Sequence, residues 1–331
     1  MRAFFRLSVI YFAVAMLVAA ALGHLSPDHV AQGIAGTLEF VSRLSGAPPW
    51  MLLPAAAALV WVGRHQFSAS IEDLLYGLGG IVFLQAAFSV MKVMIPEFVP
   101  FYADPWLADA DRWLHGGIDP WRLAHRAFGG GDPHLASMLY FTIWTTMTIL
   151  FPLFLAVGDP NRARAERFLI LYAMVWIVVG NLMAVLGSSV GPVFVAQAYG
   201  SDAFAGLHAA LDRSGLSDTM IGLTQDYLGW HLGTEDLAFA SGVSAFPSVH
   251  VAMAGLIALY MGKRWPVMLP FAALLVAAVA FVSVLSGYHY AVDAYASILL
   301  VAVMWWLTRR YVATGDWRAA AHGPAAAAAA G

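Results

Sequence analysis

The chain has 331 residues, 61% hydrophobic and 11% charged, with a formal charge of −3, where a soluble domain carries roughly 25% charged residues. With a mean hydropathy of +0.73 this is more apolar sequence than a water-soluble core absorbs, and the lack of any basic block or stripe excludes nucleic acid as a partner. There is no cysteine, which excludes disulfides, thiolate nucleophiles and thiolate metal sites and leaves only His, Asp and Glu to hold a metal.

A hydrocarbon core about 30 Å thick needs roughly 20 apolar residues as helix, because backbone polar groups in lipid must bond within their own segment. In chain order the candidate spans are 4–22, 48–63, 74–94, 135–157, 168–187, 248–262, 267–287 and 291–307. This predicts an all-α integral membrane protein of about eight transmembrane helices. The second and sixth candidates are short. The first, with Arg2 and Arg6, an apolar run and small residues at Ala19 to Ala21, reads as an uncut anchor, with a cleavable signal as the alternative. Residues 1–73 are thus expected to hold two N-terminal helices, 74–310 a six-helix catalytic domain, and 311–331, with its poly-alanine run, a disordered tail.

Arg2, Arg6, Arg64, Arg162, Arg164, Arg167, Lys263, Arg264, Arg309 and Arg310 mark alternate ends of successive spans. The positive-inside rule therefore puts both termini in the cytoplasm. The long segments 95–134 and 188–247 are expected on the extracytoplasmic side.

Ionisable residues at membrane depth are costly and mark candidate sites. The sixth span opens with Ser244-Ala-Phe-Pro-Ser-Val-His250. A proline favours the first helical turn, so a helix beginning near Pro247 would direct free N–H groups and the positive dipole end at an anion, with His250 just inside. The eighth span opens with Tyr288-His-Tyr-Ala-Val-Asp293. His289 and Asp293 share a helix face at i, i+4, and a carboxylate that orients an imidazole and raises its basicity suits a histidine nucleophile or base. Both histidines fall at the same level of the bilayer, so a nucleophile and a proton donor could face each other across a bound phosphate.

Pro247-Ser-Val-His250 and His289-Tyr-Ala-Val-Asp293 resemble the P-S-x-H and H-x-x-x-D signatures of the type 2 phosphatidic acid phosphatase superfamily. "SAFPSVHVA" and "HYAVD", with segments Pro100 to Asp104, Leu107, Asp111-Arg112, Leu114 to Gly116, Asp119-Pro120 and Ser188-Ser-Val-Gly-Pro192, are most similar to the branch of inositol phosphorylceramide synthase and its bacterial relatives. The resemblance covers about residues 74–310 and implies a six-helix phosphatase-like core. It implies His289 as the nucleophile on phosphorus, Asp293 as its orienter, His250 as the general acid, and an active site on the extracytoplasmic face of a membrane, expected to be a bacterial inner membrane. Ser248, Pro247, Ser188, Ser189 and Gly191 are expected to line the phosphate.

The chain departs from the phosphatase members where they carry S-R before the nucleophile, having Val282 and Ser283, and where their first signature has arginine, having Lys92, Val99 and Pro100. A dianionic phosphate would miss those guanidinium forks. Lys92, Arg112, Arg122, Arg126 and Arg213 are the available cations, Arg112 the first choice among them. A phosphodiester with one charge needs less neutralisation, which favours transfer of an inositol-phosphate-like headgroup between a membrane lipid and an alcohol or water acceptor, with no cofactor or metal.

Gly187-Ser-Ser-Val-Gly191 matches G-x-S-x-G, but it follows an apolar helix rather than a strand. Close packing or a phosphate-lining loop is the better reading, with an intramembrane serine protease pairing Ser189 and His289 the weaker one. A transporter is the alternative from another class, although no paired Gly/Pro-broken spans occur in corresponding halves. Sequence leaves the oligomeric state open. The topology predicts that a cysteine at Gly130 reacts with an impermeant thiol reagent in intact cells while one at Asn161 does not; the opposite labelling pattern would reverse the orientation.

Overall fold

The computed structural model describes residues 1–24, 71–232 and 241–311. Among them every regular element is a helix: α1 (Arg2–Ala21), α2 (Ile71–Val93), α3 (Asp104–Leu114), α4 (Pro120–Phe128), α5 (Pro133–Gly158), α6 (Arg162–Leu186), α7 (Ala205–Arg213), α8 (Met220–His231), α9 (Val249–Arg264), α10 (Leu269–Leu285) and α11 (Ala291–Leu307), joined by short turns. The predicted span 48–63 and the tail from 312 lie outside the described residues. Among the described residues six helices are long and apolar enough to cross a membrane: α1, α2, α5, α6, and α10 and α11 with the short turns that adjoin them.

The sixth predicted span is α9, of 16 residues. At 1.5 Å per residue it is about 24 Å long, short of the hydrocarbon thickness. It can be short because its flanks meet protein rather than lipid: it packs against α5, α6, α10 and α11, and Val251 to Ala254, Leu256, Ile257 and Tyr260 are all buried. The N-terminal end of this packed helix carries His250.

Lipid offers apolar side chains as good a solvent as a neighbouring helix does, so close packing and polar contacts hold such a bundle together. At Gly80 the ring of Phe4 lies where a Cβ would come within 2.4 Å, and α1 thereby sits tightly on α2. Lipid-facing positions stay apolar, among them Leu17, Leu75, Val82, Leu274 and Leu299, all exposed.

The fifth predicted span was placed at 168–187, but α6 starts at Arg162, capped by the Asn161 side chain, which accepts the Arg164 N–H at 3.0 Å. The arginines that mark a loop in the sequence belong to the helix because each finds partners. Arg164 Nε donates to Asp159 at 2.7 Å, and the same carboxylate also takes Arg164 Nη2 and the Tyr260 hydroxyl. Arg167 donates to the Trp305 carbonyl at 2.6 Å and to the Thr308 hydroxyl at 3.2 Å. Arg162 pairs with Asp73 at 2.9 Å, and the N-terminal ammonium with Glu166 at 3.0 Å. One end of the bundle is therefore arginine-rich, and the turns carrying the two histidines lie at the other.

Two spans contain wider π-helical stretches, Met138–Ile143 in α5 and Val175–Leu182 in α6. Such stretches break the i to i+4 ladder and cluster at functional sites. Both flank the cavity described below.

Removing one partner of a buried ion pair strands the other charge. Since Asp159 and Arg164 are fully enclosed, Asp159→Ala is expected to destabilise the bundle by about 3–5 kcal/mol, read as a fall in thermal midpoint by fluorescence-detected gel filtration. Tyr260→Phe, which keeps the ion pair, is expected to cost less, and an unchanged midpoint in Asp159→Ala would show the pair to be dispensable.

Candidate active site

The turn between α10 and α11 carries the first histidine. Gly287 adopts φ +72°, the left-handed conformation that ends a helix cheaply only in glycine, and the His289 N–H then donates to the Ser283 carbonyl at 3.2 Å. His289 Nδ1 donates to Asp293 Oδ2 at 3.2 Å, and the Tyr290 N–H donates to the same oxygen at 3.0 Å. With Nδ1 carrying the proton toward the carboxylate, the lone pair of Nε2 is the free one.

The start of α11 is itself held. The Ala291 and Val292 N–H groups each donate to the Asp111 carboxylate at 2.8 Å, so a side chain from α3 fills the anion site at this helix N-terminus. Burial pushes the Asp111 carboxyl up from its ordinary value, and these two hydrogen bonds oppose that.

The second histidine lies at the N-terminus of α9. The Phe246–Pro247 peptide is cis, Ser248 is the N-cap with its hydroxyl accepting the Val251 N–H at 3.4 Å, and His250 is the second helical residue. The helix thus begins after Pro247 rather than at it, because the serine hydroxyl supplies the cap that a helix start requires. The His250 ring is sandwiched between Tyr140, with centroids 4.3 Å apart and planes at 9°, and Trp144, at 4.0 Å and 29°. Trp144 also donates its indole N–H to the His250 carbonyl at 2.9 Å. Two rings on its faces fix the imidazole plane and leave its edge, with both nitrogens, for a ligand.

The His250 and His289 ring centroids are 6.3 Å apart. Both line one cavity of about 310 Å³, whose walls come from α2, α5, α6, α8, the 242–247 segment and the α10–α11 turn. Aromatic rings make much of its surface, including Tyr140, Trp144, Trp176 and Tyr288, while Gln85, Ser89, Thr145 and Thr224 add polar points. Among the described lining residues Lys92 is the cation besides the histidines, and no arginine lines the cavity. Where the phosphatase members carry arginine, Ser283 is buried with its hydroxyl 3.5 Å from that of Tyr140.

Several expected phosphate ligands have other tasks. Pro247 and Lys92 line the cavity, but Ser248 is a fully buried cap. Ser188 and Ser189 are also fully buried: the Ser188 hydroxyl donates to the Val99 carbonyl at 3.3 Å, and the Ser189 hydroxyl accepts the Phe246 N–H at 3.0 Å. Ser189 lies off the cavity, which also removes the geometry a serine nucleophile needs. The Gly191 N–H is taken at 2.9 Å by Asp104, and its φ of +85° with the Tyr288 carbonyl 2.3 Å from where a Cβ would lie requires glycine there. Arg112, the favoured cation, is drawn away by carboxylates. It pairs with Asp109 at 2.5 Å and Asp119 at 3.3 Å and does not line the cavity. Apart from Val190, which lines the cavity, the loop from 187 to 192 is therefore a scaffold behind the site.

Asp104 organises that scaffold. Its buried carboxylate accepts the Val190 and Gly191 N–H groups, each at 2.9 Å, the Tyr199 hydroxyl at 2.8 Å and the Tyr290 hydroxyl at 3.0 Å. Burial and the neighbouring carboxylate raise both phenols above their ordinary range, which keeps them as donors. Sequence reading passed over this role and that of the Tyr140–Trp144 pair. The signals available were Asp104 and Asp111 one heptad apart on an amphipathic helix, and Tyr140 and Trp144 at i, i+4. Among the described residues no group of three or more His, Cys, Asp or Glu is placed to hold a metal.

Comparison with curated proteins yields no match, and comparison with solved structures yields none. The family model of the PAP2 superfamily matches residues 105–307, a stretch that contains both histidines, Asp293, the Asp111 clamp and the scaffold loop, and the chain belongs to that superfamily.

Proposed function

We propose that the protein is a membrane lipid phosphotransferase that works through a phosphohistidine, moving a phospho-headgroup, inositol-phosphate-like in the manner of the inositol phosphorylceramide synthase branch, from a lipid phosphodiester to an alcohol. Water as acceptor makes the same site a phosphatase. The coarser part of this reading, a phosphatase-type activity, follows from the superfamily. The observation that carries the rest is the pair of imidazoles 6.3 Å apart on one cavity wall, one of them tied through Nδ1 to a buried carboxylate.

In the proposed reaction Nε2 of His289 attacks phosphorus, and the bond from phosphorus to the leaving oxygen breaks as His250, entering as imidazolium, protonates that oxygen. His250, now neutral, next accepts the proton of the acceptor hydroxyl, whose oxygen attacks phosphorus and displaces His289. Asp293 holds the tautomer and stabilises positive charge on His289 in both steps. The free N–H groups at the start of α9 and the Lys92 ammonium supply charge stabilisation without a metal ion. One lysine and no arginine among the described lining residues suits a monoanionic diester better than a dianionic monoester. The site opens on the extracytoplasmic face of the membrane, bacterial inner membrane being the expected one.

The two histidines separate by leaving group. His289→Ala is expected to abolish turnover of every substrate, and Asp293→Asn to lower it by orders of magnitude in a protein that still folds. His250→Ala is expected to lose about 10²–10⁴-fold on a lipid diester, the usual worth of a general acid, and to recover most of the first step on a p-nitrophenyl phosphodiester, whose leaving group departs unprotonated. Burst-phase release of nitrophenol in detergent measures this. Equal recovery in both histidine variants would reverse or refute the assignment.

A further inference from the structure

Helix α3 has three faces. Asp104, Ala108 and Asp111 point inward and are buried. Trp106 and Trp113 point directly away from them and are 75% and 81% exposed, and Leu114, 49% exposed, lies about 90° round from the tryptophans on the flank away from Asp109 and Arg112. At 100° per residue Ala110 falls on the tryptophan side, whereas Asp109 and Arg112, paired with each other at 2.5 Å, fall on a separate edge between the buried and the tryptophan faces.

Both ends of α3 are tied to lipid-facing positions of spans. Before its start, the Tyr102 hydroxyl donates to the carbonyl of Leu186 in the last turn of α6, where Leu182 and Leu186 are exposed. After its end, His115 stacks on Tyr295 with centroids 6.0 Å apart and bonds its hydroxyl at 3.0 Å. Tyr295 lies in the first turns of α11 and shares its exposed face with Leu299. One helix fastened to the last turn of one span and the first turns of another, on their lipid sides, runs along the membrane surface rather than up from it.

We propose that α3 is an interfacial helix, lying in the plane of the leaflet on the histidine side with Trp106, Ala110, Trp113 and Leu114 set into the boundary of headgroups and acyl chains. The occupant of the tryptophan face is the bilayer itself. Tryptophan favours that zone because its ring is apolar and its N–H seeks a polar partner, and an amphipathic helix sinks its apolar face roughly 5–10 Å into it. The Asp109–Arg112 edge faces water. The inner face of the same helix holds Asp104 on the scaffold loop and Asp111 on the first N–H groups of α11, so lipid packed against the tryptophans presses α3 onto the turn that bears His289.

The absence of cysteine makes every introduced thiol unique. Spin labels at Trp106→Cys, Ala110→Cys, Trp113→Cys and Asp109→Cys, in vesicles of phosphatidylcholine and phosphatidylglycerol, are read by power saturation with oxygen and with a water-soluble nickel chelate. Oxygen is expected to relax labels at 106, 110 and 113 severalfold more effectively than the chelate does, and the preference is expected to invert at 109. Ala110→Cys removes no large side chain and carries the result if a tryptophan variant fails to fold. Chelate-favoured relaxation at 110 and at whichever of 106 and 113 folds would place the face in water and overturn the proposal. Exclusion of both reagents with dipolar broadening between labels would assign the face to a second copy of the chain and overturn it equally. None of these readings depends on catalysis.

Discussion

A carboxylate taken out of water must receive hydrogen bonds or a cation, or it costs several kcal/mol. Asp104 is such a group, and it receives four donors from three separate stretches of chain. Meeting that requirement ties the N-terminus of α3 to the 187–192 loop, to Tyr199, and to Tyr290, the residue next to His289. The loop, thus fixed, accepts the Tyr102 and Ala103 N–H groups at the Ser188 carbonyl and the Ala245 N–H at the Ser189 carbonyl, so it also sets the strand of chain leading into α9. The two histidine-bearing turns are positioned from one buried anion, with Asp111 repeating the device one heptad later on the N–H groups of α11.

Bilayer thickness supplies the other constraint. Long helices satisfy it around the outside, leaving the middle of the bundle free for α9, which is too short to reach both surfaces but is shielded from lipid. Its N-terminal end borders the cavity, and the π-helical stretches of α5 and α6 turn Tyr140, Phe141, Trp176 and the bare backbone of Gly180 toward it. The result is a chamber with aromatic walls and a polar end, amphiphilic as a lipid headgroup with its first carbons is. The Tyr140–His250–Trp144 stack shows how the same rings that make the wall also fix the orientation of a catalytic candidate.

Charge within the chamber is sparse. Two guanidinium groups of this side are engaged elsewhere, Arg112 with two aspartates and Arg122 with Asp119 and the face of Trp121. Among the described residues that line the chamber, Lys92 is the cation that stands beside the histidines. That economy supports the proposed preference for a phosphodiester and for passing the phosphoryl group on to an alcohol, since a monoanion demands less compensation on entry and on leaving.

The sequence by itself determined the class of fold and brought forward the candidate histidine–aspartate pair. Lipid forces each apolar segment to bond internally, so spans such as 74–94 and 135–157 are local facts, and their edges shift by only a few residues. His289 with Asp293 was legible for the same reason, four residues on one helix. Tertiary structure alone decided what surrounds them. Asp104 meets Tyr290 across 186 residues and Asp111 meets Ala291 across 180, and no period or spacing encodes a partner at that distance. The arginines at 162, 164 and 167 looked like loop markers until their acceptors, distant for Arg162 and Arg167 and the nearby buried Asp159 for Arg164, drew them into α6. Arg112, Ser188, Ser189 and Gly191 looked like phosphate ligands because type and level were all the sequence could supply. Hydrogen-bond competition gives them other partners: each polar group is held by a complementary partner in three dimensions, and for these residues that partner is a carboxylate or a backbone group.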